Sequence, residues 1–477
     1  MTSLKKQTVS GIKWTFAASL AQRILSFGAT VILARVLTPA DFGLFALAFV
    51  MIDGFSIFKS LGFDSALVRR KDDIKKAANT AFFLIPIMGL ALFSILFIIA
   101  PIGAKFLNNP SVANVIRALA LIFVISCFGK VPQTILYRDM KFKYKSIADV
   151  SATATYVITA IILALTNHGV WSLVVAYIFK NIVQISIEWY FSGWRPKFEF
   201  DKTIAWDMFR FGKYVLAGGI LWFLYSNLDN LIIGKYLGVT MLGFYAIAMN
   251  TSNILNDYLL GKIGLIMYPA YSKVQDDPVE VKRVMLKALK YISIIILPFS
   301  FGLFIFAPDI LRLVFGEKWL PATNILRILA FVGMFRSLGS AIWPVFAARG
   351  KSKADFQVSL AQVVIFFILV VPLATQFKLI GVGIAVLLAT IISFGIGVIR
   401  VKNILHIRSI VLFEAIRPAL LCSLAMTAIV LISKHLVVLK EVNYSITVCV
   451  FLAVVTYIVT TCLMNRNIAR DIKEVLM

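Results

Sequence analysis

Arg23 lies near the middle of an apolar run covering residues 14–36. A charge at the centre of a hydrocarbon layer costs about 2.5–3.5 kcal/mol on insertion scales, so such a side chain faces a partner or a water-filled gap. Seven more bases are embedded in apolar runs: Lys59, Arg117, Lys130, Lys180, Lys262, Arg327 and Arg336. The embedded acids are Asp53, Asp149, Glu188, Asp229 and Asp257. Arg117, Arg327, Lys59 and Lys262 sit within a turn or two of a run's end, where long stems reach headgroups. Lys130 and Asp149 are also close enough to an end for that reading.

Arg23, Lys180 and Arg336 are deeper, and each belongs to a polar stripe. Thr15, Ser19, Gln22, Ser26 and Thr30 recur around Arg23 at helical spacing. Tyr177, Gln184 and Glu188 accompany Lys180, and Ser337 and Ser340 accompany Arg336. Three helices with polar faces must turn them inward. Two arrangements satisfy that demand. One is a set of buried ion pairs, for example Arg23 with Asp53. The other is a cationic cavity that receives an anionic substrate. Gln22, Asp53 and Asn253 complete the candidate substrate-binding set, since Asp53 and Asn253 occupy matching places on two similar runs. Hydrogen bonding between helices is the simpler reading of Asn250, Asn253, Asn256 and Asp257. Asp229, Asn230 and Asp257 are candidates for binding sodium or relaying a proton, against a plain packing role.

Other chemistry lacks its residues. There is no GxxxxGK[ST] loop for ATP, no nucleophile elbow and no His-Glu metal helix. Cys127, Cys422, Cys449 and Cys462 each fall in an apolar run, and none forms a CxxC pair. The three histidines, His168, His406 and His435, have no ligand spacing. No cofactor is expected, and energy for transport would come from an ion gradient, H+ or Na+, or from the membrane potential.

These residues are positioned by membrane helices. The 477 residues are 60% hydrophobic and 15% charged. About 20 residues cross the hydrocarbon core as a helix. Fourteen spans follow: 14–36, 42–63, 78–101, 113–136, 147–166, 169–192, 211–235, 242–266, 289–308, 323–347, 355–376, 380–400, 412–433 and 443–464. The first follows Lys5, Lys6 and Lys13 and reads as a retained span, longer than the core of a cleaved leader. The net charge of +25 resides in short clusters between spans, which suits anionic lipid and argues against nucleic acid. Counted over alternate connections, bases on the side of the two termini outnumber the rest by about four to one, which puts both termini in the cytoplasm. Two segments on that side, RDMKFKYKS at 138–146 and the loop from Trp194 to Lys202, interleave bases with aromatics as headgroup-binding segments do.

A repeat is visible at an offset of 200. Residues 31–48 (VILARVLTPADFGLFALA) match 231–248 (LIIGKYLGVTMLGFYAIA), with Gly43 on Gly243, Arg35 on Lys235 and Phe45 on Tyr245. A weaker echo sets Arg117, Leu119 and Ala120 on Arg327, Leu329 and Ala330. Six spans return the chain to the starting side, so the repeats are parallel. The expected fold is an all-α membrane protein of fourteen helices. Its lobes are 1–203 (spans one to six) and 204–405 (spans seven to twelve), around a central cavity, with two additional helices in 406–477. No connection is long enough for a soluble domain.

Together these segments resemble a known family. QRILSFGATVILARVLTPADFGLFALA from Gln22, LGFDSALVRRKDD from Leu61 and VPQTILYRDMKFKYKSIADV from Val131 come in order. GVWSLVVAY from Gly169, DNLIIGKYLGVTMLGFYAIA from Asp229, MYPAYSKVQDD from Met267 and FGEKWLPA from Phe315 follow. The set is similar to the Wzx-type polysaccharide flippases, of the colanic acid exporter kind. They form a branch of the multidrug/oligosaccharidyl-lipid/polysaccharide transporter superfamily. The resemblance implies an undecaprenyl-pyrophosphate-linked oligosaccharide as substrate. It implies movement from the cytoplasmic to the periplasmic leaflet of a bacterial inner membrane by alternating access. Polysaccharide polymerase and export machinery are the implied partners. It also implies a cationic cavity, to which Arg23 corresponds best; Lys180 and Arg336 extend the set from their helix faces.

Three other readings have less support. An ion-coupled drug/cation antiporter of the same superfamily would want embedded acids, and here embedded bases outnumber them. A membrane glycosyltransferase or polymerase would want a sizeable catalytic loop. A scaffold for the polysaccharide machinery, without transport activity, is the third.

Overall fold

A computed structural model of the chain describes residues 2–59, 62–70, 72–256, 261–436 and 442–464. The regular structure among them is helical, with no strand. Among the described residues ten helices are long and apolar enough to cross a membrane, and the chain is a multi-pass membrane protein. Two compact units divide it, residues 1–246 and 247–477.

The first unit contains α1 (Thr2–Val36), α2 (Pro39–Ser56), α3 (Phe63–Arg69), α4 (Ile74–Phe106), α5 (Ser111–Arg138), α6 (Phe142–Leu165), α7 (Val170–Ser192) and α8 (Lys202–Tyr236). It also holds the start of α9 (Val239–Ser252). Local chemistry fixes the ends. At the start of α2, Thr38 accepts the Asp41 N–H while Asp41 accepts the Thr38 N–H at 2.9 Å, and Pro39 occupies the first turn. Asp201 caps α8 by accepting the N–H groups of Thr203 and Ile204. One core cluster of this unit mixes alanines with leucines. Ala29, Leu33 and Leu37 of α1 meet Ala160 and Ala164 of α6 and Leu173 and Ala176 of α7. The alanines let helices approach closely in lipid, where packing replaces the hydrophobic drive.

The second unit holds the end of α9, then α10 (Gly261–Lys273), α11 (Pro278–Ile310), α12 (Thr323–Ala348), α13 (Ser352–Leu405), α14 (Ser409–Leu436) and α15 (Val442–Met464). A π turn (Leu311–Phe315) and a 3-10 segment (Glu317–Ala322) join α11 to α12. Helix α13 is two helical arms joined at a kink, where the chain reverses direction. Lys378 has φ 52°, and Gln362 on the first arm bonds Thr390 (3.3 Å) and Ser393 (3.1 Å) on the second. Its two arms therefore coincide with the expected spans 355–376 and 380–400. The last two helices pack onto α11. Lys434 donates to Asp309 at 2.6 Å, and Tyr457 donates to the Ile294 carbonyl at 2.7 Å.

In both second spans, 42–63 and 242–266, regular helix stops short. Helix α2 ends at Ser56 and the chain turns before Gly62, whose φ of 75° is left-handed. Helix α9 ends at Ser252, and its 14 residues rise about 21 Å, less than the roughly 30 Å core. Asn250, Asn253 and Asn256 crowd that end, and amide side chains compete with the backbone for hydrogen bonds.

Candidate functional site

On α1, Gln22 and Arg23 are half-buried. The face formed by Ala29 and Leu33 is spent on α6 and α7. At about 100° per residue Ser19, Ser26 and Thr30 lie within about 60° of Leu33, along the flank of that face, and Arg23 lies about 80° from it. This row is built locally, with Thr30 donating to the Ser26 carbonyl at 2.8 Å.

Three other helices bring Lys180 and Asp53 into one neighbourhood. Tyr177 of α7 takes Phe49 edge-on at 5.3 Å and Phe45 at 6.3 Å, both from α2. The Lys180 ammonium stands 5.4 Å from the centre of the same tyrosine ring. Asp53, one turn beyond Phe49, accepts from Asn227 Nδ2 of α8 at 3.0 Å.

A denser polar cluster joins α5, α6 and α7. Lys145 Nζ contacts Asp149 Oδ1 and lies 3.2 Å from Glu188 Oε1. Gln133 donates to Glu188 at 3.2 Å, and Gln184 donates to both carboxylates at 3.0 and 3.3 Å. Glu188 is 1% exposed and Lys145 is 6% exposed. Beside it, Lys130 pairs with Asp64 at 2.9 Å. Sequence reasoning identified Glu188 and Gln184 only as a stripe beside Lys180. The signal for the cluster was two i,i+4 pairs on consecutive helices, Lys145/Asp149 and Gln184/Glu188.

In the second unit the end of α9 meets α12. A methyl group on Gly333 would lie 2.5 Å from the Ser252 carbonyl oxygen, so only glycine allows the approach. Arg336 Nη1 is 3.9 Å from the Met249 sulfur, and Ser337 is 3.5 Å from Asn256 Oδ1. Asn253 is buried, and among the described residues its Oδ1 finds no hydrogen-bond donor. Arg336 and Asn253 are thus neighbours through the Met249–Asn256 stretch.

The candidate ion-coupling residues divide. Both carboxylate oxygens of Asp229 are occupied, one by the Asn230 N–H at 2.8 Å and the other by the Tyr245 hydroxyl at 2.5 Å. Asp257 lies outside the described residues. Among the described residues no cluster of His, Cys, Asp or Glu could hold a metal ion.

The shallower bases behave alike in the two units. Arg117 Nε donates to the Phe97 carbonyl at 3.3 Å, with its guanidinium 4.8 Å from that ring. Arg327 Nε donates to the Phe304 carbonyl at 3.2 Å, at 5.7 Å from that ring. Helices α2 and α9 also meet within the first unit. A methyl group on Gly43 would sit 1.7 Å from the Val239 carbonyl oxygen, and one on Gly243 would sit 1.9 Å from that of Pro39.

Residues 32–324 match the model of a family described as polysaccharide biosynthesis protein. The chain belongs to that family. It is 26% identical over 397 residues to the lipopolysaccharide biosynthesis protein WzxC of Escherichia coli (strain K12), covering 82% of this chain and 80% of that one. With the teichuronic acid biosynthesis protein TuaB of Bacillus subtilis (strain 168), identity is 24% over 454 residues, 94% of each chain. Among solved structures, the lipid II flippase MurJ in an inward closed conformation superimposes with a TM-score of 0.80 at 16% identity. That match covers 96% of this chain and all of the other, and it fixes the fold class as MurJ-like. The Wzx-type resemblance read from the ordered segments stands.

Proposed function

We propose that the protein is a flippase that carries an undecaprenyl-pyrophosphate-linked oligosaccharide from the cytoplasmic to the periplasmic leaflet of a bacterial inner membrane. The observation that carries this reading is the set of deep bases. Arg23 and Lys180 are half-buried on packed helices of the first unit, and Arg336 is half-buried on α12 in the second. A pyrophosphate and sugar head cannot enter hydrocarbon unaided, because its polar groups would go unsatisfied there. A basic, hydrated path shelters the head while the prenyl chain stays in lipid. Arginine grips phosphate oxygens with paired hydrogen bonds, and lysine serves as a point charge.

The architecture that goes with this reading has fourteen spans and cytoplasmic termini. Two parallel six-helix lobes, 1–203 and 204–405, flank a cavity, and 406–477 adds two helices. Support comes from the matched Arg117/Phe97 and Arg327/Phe304 contacts and from the reciprocal Gly43/Gly243 contact. With the amino terminus inside, the first turns of α2 and α9 lie on the periplasmic side. Alternating access then requires their crossing to part.

A deletion strain supplies the test. Lipid-linked repeat units should accumulate and polymer export should stop. Unchanged glycolipid together with raised sensitivity to cationic dyes would point instead to a drug/cation antiporter.

A further inference from the structure

The segment joining α7 to α8 is not a slack loop. Between Gly193 and Asp201 it has no regular secondary structure and is bound to the first turns of α4. The Lys197 N–H donates to Asn79 Oδ1 at 3.2 Å, the Asp201 N–H donates to Thr80 Oγ1 at 3.2 Å, and Asn79 Nδ2 donates to Glu199 at 3.2 Å. Asn79 and Thr80 are buried. Trp194 closes one end of the arm against Phe82 and Trp189. Beyond the arm, Ile204 and Met208 anchor α8 in a core shared with α3 and α4.

What this scaffold turns outward has a distinct chemistry. Phe198 is fully exposed and Trp206 is 65% exposed, stacked on Phe209 at 5.7 Å. Arg195, Lys197 and Lys202 stand exposed among them. The two acids of the arm each accept hydrogen bonds from the scaffold and keep their charge. Glu199 accepts from Asn79, and Asp201 caps α8. Hydrogen bonds from the Thr203 hydroxyl and the Ile204 N–H hold the Asp201 carboxyl below the usual carboxylate range, so it stays ionised on the helix end. Asp207 is also exposed beside Trp206, and Arg210 is exposed one turn on, so the outward face joins aromatic rings to four bases and three acids, with its bases in slight excess.

We propose that this face docks on anionic phospholipid headgroups of the adjacent leaflet. Exposed phenylalanine and tryptophan beside lysine and arginine are placed as interfacial anchors are, aromatic rings at headgroup depth and bases on phosphates. The rigid arm holds the amino-terminal end of α8 at a fixed depth and leaves bound anionic lipid beside α4 and α8. A soluble protein partner would use the same aromatics but would keep them out of lipid.

The test uses the full-length protein in nanodiscs of phosphatidylcholine mixed with phosphatidylglycerol. Either lipid carries bromine on its upper acyl chain, and a Trp206→Phe variant supplies the subtraction for the remaining tryptophans. Brominated phosphatidylglycerol should quench the Trp206 signal at least twofold more than brominated phosphatidylcholine at equal content. That excess should fall away in an Arg195→Gln, Lys197→Gln, Lys202→Gln variant and at high salt. Equal quenching by the two lipids would overturn the proposal by showing ordinary lipid contact. Absence of quenching in both would overturn it in favour of a protein partner.

Discussion

Gly43 and Gly243 face each other where α2 crosses α9, each lying against the backbone carbonyl of the residue four positions before the other. The contact is self-complementary, as at an isologous interface: Gly43 meets Val239 while Gly243 meets Pro39. These four residues are paired by the offset of 200 seen in the sequence, the pairing that the proposed repeat accounts for.

The first prediction concerns that crossing. Side chains at either glycine must push the helices apart, because even a methyl would sit within 2 Å of a carbonyl oxygen. Gly43→Val and Gly243→Val should each reduce polymer export at least tenfold with insertion intact, and the alanine variants should be intermediate. Export measured against protein level in a complemented deletion strain checks this. Wild-type export by the valine variants would deny the crossing a role.

Asp229 is best read as a latch. Tyr245 occupies one of its oxygens and the Asn230 N–H the other. Removing either partner of the buried Tyr245–Asp229 bond should cost about 1–3 kcal/mol. The double variant Asp229→Ala, Tyr245→Phe should be little worse than Asp229→Ala alone. Thermal unfolding in detergent gives the cycle. If Asp229→Asn abolished ion dependence of transport while Tyr245→Phe left it untouched, Asp229 would instead be an ion site.

The Lys145–Asp149–Glu188 cluster gives a third expectation. Breaking a buried pair by removing one partner is costly, about 3–5 kcal/mol, because the remaining charge is stranded. Lys145→Met should therefore lower the melting temperature sharply. Adding Glu188→Gln should recover part of the loss, since Asp149 keeps the Gln184 amide. A double variant less stable than Lys145→Met would show that the cluster is not held by that pairing.

Much of the fold is legible in the sequence because hydrophobic length is a strong signal. The arms of α13 coincide with the expected spans 355–376 and 380–400, although only Lys378 marks the reversal. Interruption of the second spans was not legible, since residues 242–266 remain apolar on average while the asparagines within them end α9. The deep bases were legible because charge in an apolar run is conspicuous. Their partners were less so. An Arg23–Asp53 pair was one example among the arrangements the sequence left open; the structure shows the Asp53 carboxylate accepting from Asn227, 174 residues away. Such contacts depend on how helices rotate about their axes, which periodicity alone leaves open. The Lys145–Glu188 cluster escaped for the same reason, since its members lie on three helices.

In the proposed function, deep positive charge receives the phosphorylated head. Its most direct test follows a fluorescent polyprenyl-pyrophosphate glycan in vesicles containing the purified protein, with a membrane-impermeant quencher reporting the leaflet. Wild-type protein should move the lipid between leaflets. Arg23→Ala, Lys180→Ala and Arg336→Ala combined should reduce the rate at least tenfold, with Arg23→Lys alone retaining part of it. Unchanged movement by a correctly folded triple variant would contradict the account.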